Sequence, residues 1–176
     1  WALRGEHVKP GPFLDQWLIC GPFSQSGART ALAVFDAPLG PEKPAGKVEW
    51  RALRDAGMVA LSALFPGQEG CVAYLKCRVA APRELNALLL VGSDDGIKAW
   101  LNGTLVHANN VDRGWVADQD AASVKLVQGT NEFMFKVTQG GGGWGASARL
   151  VGTDGSPIPG LQVVPIPAEV PALQQP

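Results

Sequence analysis

Asp94 and Asp95 stand side by side in Gly92-Ser93-Asp94-Asp95-Gly96. Adjacent carboxylates in such a step either accept N–H bonds as an Asx-type turn, the commoner use of Asp in loops, or present charge to something polar. More acids follow: Asp112, Asp118 and Asp120. Alternate acids in a loop can bind calcium, but the glycine and terminal Glu of the EF-hand are absent, and a solvated loop is the plainer reading. Trp115 and Trp144 lie beside glycine, in Arg113-Gly114-Trp115 and Gly143-Trp144-Gly145. An indole in a loop offers a flat face to the C–H side of a sugar ring, with Arg or Asn reading the hydroxyls. The competing use is to cap the open end of a sandwich and bury area. Trp144, which begins a strand, leans toward packing, and Trp115 is balanced between the two.

Catalysis has little to work with. The two histidines, His7 and His107, are far apart in the chain. Gly21-Pro22-Phe23-Ser24-Gln25-Ser26-Gly27 lacks the spacing of a nucleophile elbow. Gly140–Gly143 lacks the Lys-Ser/Thr and helix of a phosphate loop and reads as a flexible turn. The paired carboxylates of a glycosidase sit roughly 5–10 Å apart across a cleft; Asp94 with Asp118 or Asp120 could reach that, but spacing in sequence does not establish it. We therefore expect a non-catalytic chain. Cys71 and Cys77 fall on one strand, roughly 20 Å apart, too far to bond to each other without a bend. Cys20 is left to pair with either or to remain a small buried hydrophobe.

The elements that must position these residues are strands. Leu88–Val91 is a short apolar run, as in a strand buried on both faces. Ile97–Leu101 and Thr104–Ala108 flank Asn102-Gly103, a strong hairpin signal because a type I′ turn needs positive φ at both central residues. This turn sets Leu101 opposite Thr104 and Ala99 opposite Val106, with Ile97, Ala99, Leu101 and Val106 facing the core and Lys98, Trp100, Leu105 and His107 facing away. Further strands are predicted at Gln16–Cys20, Val48–Leu53, Cys71–Val79, Leu85–Val91, Ala122–Val127, Glu132–Val137 and Trp144–Gly152, with a strand end and one helical turn in Met58–Phe65 and a short helix or strand in Arg29–Phe35. Such a series with almost no helical periodicity predicts an all-β fold, an antiparallel two-sheet β-sandwich of jelly-roll type. One domain is expected over 1–156, its core over about 14–152, followed by a Pro-rich linker or edge-packed arm over 157–176.

Composition sets limits. The 176 residues suffice for one sizeable core. A net charge of -1 gives no reason to expect nucleic acid. The chain contains no run of the roughly 20 apolar residues that a membrane span needs. Trp1 is not an initiator, so a processed or excised piece is expected.

Ser93-Asp94-Asp95-Gly96 resembles the protective-antigen-type modules of adhesins and glycosidases. Trp100-Leu101-Asn102-Gly103, followed by Gly129-Thr130-Asn131 before a strand, resembles the galactose-binding-like jelly-roll domains of β-galactosidase-type hydrolases. The Trp17–Phe23 start and the Ala73–Cys77 strand are similar to segments of secreted multidomain bacterial proteins. The resemblance covers roughly Gln16 to Val164. It implies an accessory module that binds glycan or polysaccharide, or one that braces a neighbouring domain, in a secreted, periplasmic or cell-surface protein. It further implies that Asp94 and Asp95 hold a calcium ion that in turn holds sugar hydroxyls, with Ser93, Asn102 and a backbone carbonyl available to complete the shell. The expected ligand-binding set is thus Asp94, Asp95, Asn102, Arg113, Trp115 and Trp144, with Asp94 and Asp95 as metal ligands.

Overall fold

The computed structural model describes residues 11–27, 30–44 and 47–173. Trp1 and His7 lie outside them. Eleven strands run in the order β1 (Gln16–Ser24), β2 (Arg51–Arg54), β3 (Val59–Ala60), β4 (Cys71–Ala81), β5 (Leu85–Asp94), β6 (Ile97–Leu101), β7 (Thr104–Asn109), β8 (Asp120–Leu126), β9 (Gly129–Gln139), β10 (Gly145–Gly152) and β11 (Gln162–Val163). Two single-turn helices, α1 (Ala31–Val34) and α2 (Leu61–Leu64), and one turn of 3-10 helix at Gly40–Glu42 complete the described elements.

The strands form an antiparallel two-sheet β-sandwich. The larger sheet has the order β2-β1-β4-β9-β6-β7, with β11 also on β4, and the smaller has the order β3-β10-β5-β8. Period-2 alternation builds the core. Cys71, Ala73, Leu75 and Cys77 of β4, Phe133, Phe135 and Val137 of β9, Leu89 and Val91 of β5 and Ala146, Ala148 and Leu150 of β10 all enter one buried cluster. Each large side chain so placed contributes about 1.5–3 kcal/mol relative to exposure.

The outer face of the larger sheet is partly covered as well. Cys20, Val34, Leu39, Val72 and Tyr74 form a second buried cluster there. Lys136 anchors that cover: its fully buried ammonium meets the Ala37 carbonyl at 2.6 Å and Glu42 Oε1 at 2.8 Å, and the Tyr74 hydroxyl donates to the same oxygen at 2.5 Å.

The hairpin forms at Asn102-Gly103, with φ of 49° and 83°. Leu101 opposes Thr104 as expected, but a bulge between Ala99 and Trp100 sets Ala99 opposite His107 rather than Val106. Opposed residues share a face, so the extra residue turns His107 toward the interior side.

All three cysteines are free and buried. Cys20 opposes Tyr74, so it lies on the outer face of the sheet, while Cys71 and Cys77 point inward and no pairing with Cys20 is available.

The C-terminal arm runs back over the larger sheet. Gln162 and Val163 pair with Ala80 and Val79 on the edge of β4 that β1 occupies further along, and Leu173 donates its N–H to the Ala52 carbonyl at 2.8 Å. Among the described residues no helix is long and apolar enough to cross a membrane.

Candidate functional site

Three connections pass between the sheets at one end of the sandwich. The chain leaves β5 for β6 through 95–96, β7 for β8 through 110–119, and β9 for β10 through 140–144. Asp94 and Asp95 sit where the three meet. Asp95 accepts the Arg113 backbone N–H at Oδ1 (3.1 Å) and the Gly140 N–H at Oδ2 (2.8 Å). Its own N–H donates to the Thr138 carbonyl at 3.0 Å, and the Ser93 hydroxyl donates to its carbonyl at 2.6 Å. The backbone N–H of Trp115 faces Asp94 and favours its ionised form. One acidic step therefore ties all three crossovers together. The Asp94-Asp95 peptide is cis.

The two acids differ in exposure. Asp95 is 4% exposed, whereas Asp94 is half-buried. Burial raises the carboxyl of Asp94 above its usual range; the charges of Asp95 and Asp112 push the same way, and the Trp115 N–H opposes them. Burial also raises Asp95, against the two N–H bonds it accepts, and Asp112 adds to the rise. Like charges held together disfavour ionisation, and a cation between them removes that penalty.

Two glycines of the third crossover, Gly140 and Gly143, lie against these acids. A Cβ on Gly143 would lie 2.5 Å from Asp94 Oδ2, and one on Gly140 3.2 Å from Asp95 Oδ2. Gly140–Gly143, expected as a flexible turn, is thus one wall of the site.

Arg113 does not face the ligand side as expected. Its guanidinium donates to Asp120 through Nη1 (3.0 Å) and Nη2 (2.7 Å), and to Ser93 at the carbonyl (3.3 Å) and hydroxyl (2.9 Å). His107 Nε2 lies 3.0 Å from Asp120 Oδ2, and Asn109 Nδ2 donates to the same carboxylate at 3.2 Å. Burial works against ionisation of Asp120, but the hydrogen bonds from Arg113, His107 and Asn109 outweigh it and hold the carboxyl down at about 2. This network bridges the edges of the two sheets and fixes the loop whose amides reach the acids. The sequence does not signal it, because Asp120 is brought to Arg113 by the packing of β8 beside β7 and His107 joins them through the bulge.

Asn102 is far from the acids. It occupies the turn at the other end of β6, about 20 Å away at strand rise. Its Oδ1 accepts the Glu132 N–H at 2.9 Å and its Nδ2 donates to Asn131 at 3.2 Å. It cannot complete a shell around Asp94 and Asp95. Trp144 is also removed from the ligand set, being 2% exposed, donating to the Val137 carbonyl at 3.4 Å and lying 5.8 Å from the Phe65 ring.

Trp115 remains with the acids. Its backbone N–H faces Asp94, and its half-buried indole lies over Gly92 and Ser147 on the outer face of the smaller sheet, donating to Ser147 Oγ at 3.0 Å. Gly92 makes room for this crossing: a Cβ there would meet the Val116 carbonyl oxygen at 2.2 Å and the indole nitrogen at 3.0 Å. Asp118 and Asp120, read as members of a solvated loop, are instead ion-paired, Asp118 with Arg149 and Asp120 with Arg113.

For calcium the donors fit in kind: Asp94 and Asp95 supply hard oxygens and negative charge, and each Asp95 oxygen keeps a lone pair beyond its amide bond. They fall short in number. Among the described residues no three acidic, histidine or cysteine side chains converge at ligand distance; Asp112 acts on Asp94 through its charge and on Asp95 through its charge and its carboxyl together.

The architecture is that of an antiparallel β-sandwich module, and comparison with solved structures agrees. The PA14 domain of the MpAFP antifreeze protein superposes with a TM-score of 0.54 at 12% identity, covering 98% of this chain and 98% of that one. A β-glucosidase from Kluyveromyces marxianus, solved in complex with glucose, matches with a TM-score of 0.53 at 12% identity over 77% of this chain, which spans 16% of the glucosidase. No protein-family model and no curated protein matches the chain. These likenesses establish the fold.

Proposed function

We propose that the chain is a non-catalytic, protective-antigen-like module that binds glycan at the loop end of the sandwich through a calcium ion held by Asp94 and Asp95. The observation that carries this reading is the pairing of two adjacent carboxylates, both raised by burial and like charge, with Trp115, whose half-buried indole lies over Gly92, two residues before Asp94 on the same strand. Bound calcium would draw sugar hydroxyls to its open positions. Asp94 and Asp95 would hold it, while the amides of Arg113, Trp115 and Gly140 orient their carboxylates. The Trp115 ring would take the apolar face of the sugar. Few carboxylates on loops make a weak site of the kind suited to extracellular calcium, in keeping with a secreted or surface protein. The fold's occurrence within a β-glucosidase solved in complex with glucose supports a setting beside carbohydrate.

A second reading is favoured by one observation: both Asp95 oxygens hold crossover amides. The acids would then be structural, and the module would brace a neighbouring domain. A glycan array probed with calcium and with chelator separates the two. Calcium-dependent binding that Asp94→Asn abolishes supports the lectin reading. Absence of binding to every glycan overturns it in favour of the brace.

A further inference from the structure

We propose that the outer face of the larger sheet carries a second binding site, for a neutral sugar unit within a glycan chain, with Trp100 as its stacking surface. It stands apart from the loop end and needs no metal.

Trp100 of β6 opposes Met134 of β9, which opposes Lys76 of β4. By strand parity all three point away from the core, whose side is taken by Ala99, Phe133, Phe135, Leu75 and Cys77. The covering segment reaches the groove at Pro41 and Glu42, where Lys136 and Tyr74 grip Glu42, and Val48 and Trp50 add to the cover. Beyond it Trp100, Met134 and Lys76 remain half-buried. They floor a groove of ≈ 380 Å³ walled by Pro41 and Glu42 on one side and the hairpin tip at Gly103 on the other, within the roughly 300–1,000 Å³ usual for small-ligand sites.

The chemistry of the groove selects the occupant. Its floor is an indole with a thioether. Its charged lining residues are paired: Glu132 meets Lys76 at 3.1 Å and Glu42 meets Lys136 at 2.8 Å, while Arg78, 3.0 Å from Glu132, stands outside the lining. Lys76 Nζ also stands 4.9 Å from the Trp50 ring centroid, which holds its side chain in place. Opposite charges that cancel give no preference for an anion or a cation, yet an ammonium and a carboxylate still donate and accept hydrogen bonds. An apolar face below and hydroxyls at the edge, without net charge, describe a pyranose ring. A protein partner seated here would instead be expected to bury the aromatic floor without regard to hydroxyl pattern.

The test is affinity electrophoresis of the full chain through gels containing soluble xylan, mixed-linkage β-glucan or galactomannan, with excess EDTA present throughout. Retardation by at least one polysaccharide is expected, reduced at least tenfold in Trp100→Ala and retained in Trp100→Tyr and in Asp94→Asn. Loss of calcium-dependent binding in Asp94→Asn reports on the loop end alone, so the two sites fail separately. Wild-type protein that passes unretarded through all three gels overturns the proposal, as does Trp100→Ala that is retarded like wild type. If Trp100→Ala does not fold, the indole N–H resonance of Trp100 is followed during titration with oligosaccharides of the retarding polymer. A shift in that resonance supports the site, and an unmoved resonance overturns it.

Discussion

Arg113 and Asp120 face each other through two parallel N–H···O bonds of 3.0 and 2.7 Å, their side chains 17% and 13% exposed. Removing one partner of such a pair leaves the other charge uncompensated, so Asp120→Ala should destabilise by about 3 kcal/mol. The pH dependence follows from the depressed carboxyl. Its folded value of about 2 lies below the ordinary 3.8, so the stabilisation is present above about pH 4 and is lost as pH falls toward about 2, amounting to about 2 kcal/mol. Urea denaturation across that window should show this acid limb in wild type and not in Asp120→Asn.

The acids above this pair have the opposite sign. The carboxyls of Asp94 and Asp95 are raised in the folded chain, chiefly by burial, so their charge opposes folding once pH exceeds the raised folded values, and the opposition disappears below the ordinary carboxylate range. A cation that binds them should relieve it. Calcium at about a hundred times its Kd should add about 2.7 kcal/mol, or roughly 5–10 °C in melting temperature. The gain should shrink as pH is lowered and protons compete for the carboxylates. Thermal melts with calcium from pH 5 to 8 measure it, and Asp95→Asn should remove it.

Gly143 offers a sharper probe of Asp94. Its φ is not in the left-handed region, so alanine is compatible with its backbone, but the added methyl would come 2.5 Å from Asp94 Oδ2. The side-chain end must move. Gly143→Ala should therefore weaken calcium binding about tenfold, equivalent to about 1.4 kcal/mol, while shifting the melting temperature of the calcium-free protein little. Gly114→Ala, whose methyl would meet nothing within 4 Å, is the matched control. Equal calcium affinity in the two variants would move the ion away from Asp94.

What could be read from the sequence follows the range of the forces involved. Asn102-Gly103 fixes its own φ angles, and Phe133, Phe135 and Val137 announce an inward face by alternation, so the hairpin and β9 were legible. Arg113 was not, because its partner Asp120 is brought close only by the packing of β8 against β7, and His107 joins them through a bulge that no residue type at Ala99 or Trp100 signals. Gly140–Gly143 was legible as a break between strands but not as a wall, since the contact that requires glycine comes from Asp94 and Asp95, more than forty positions earlier in the chain. Trp144 and Trp115 share the same glycine-flanked pattern, and only the sandwich decides which of them is interior.

That difference between the two tryptophans yields a further prediction. Trp144 is 2% exposed and packed against Phe65, so Trp144→Ala removes a large buried side chain and should cost about 3–5 kcal/mol. Trp115 lies half-buried on the outer face of the smaller sheet, held by a single side-chain hydrogen bond to Ser147. Trp115→Phe keeps an aromatic face there but leaves Ser147 without that donor, a loss of about 1 kcal/mol. If the loop end takes sugar on this ring, Trp115→Phe should retain most calcium-dependent glycan binding, and Trp115→Ala should lose at least tenfold while remaining folded by near-ultraviolet circular dichroism. A Trp115→Ala variant that is folded and binds glycan at wild-type strength would place the sugar away from the indole.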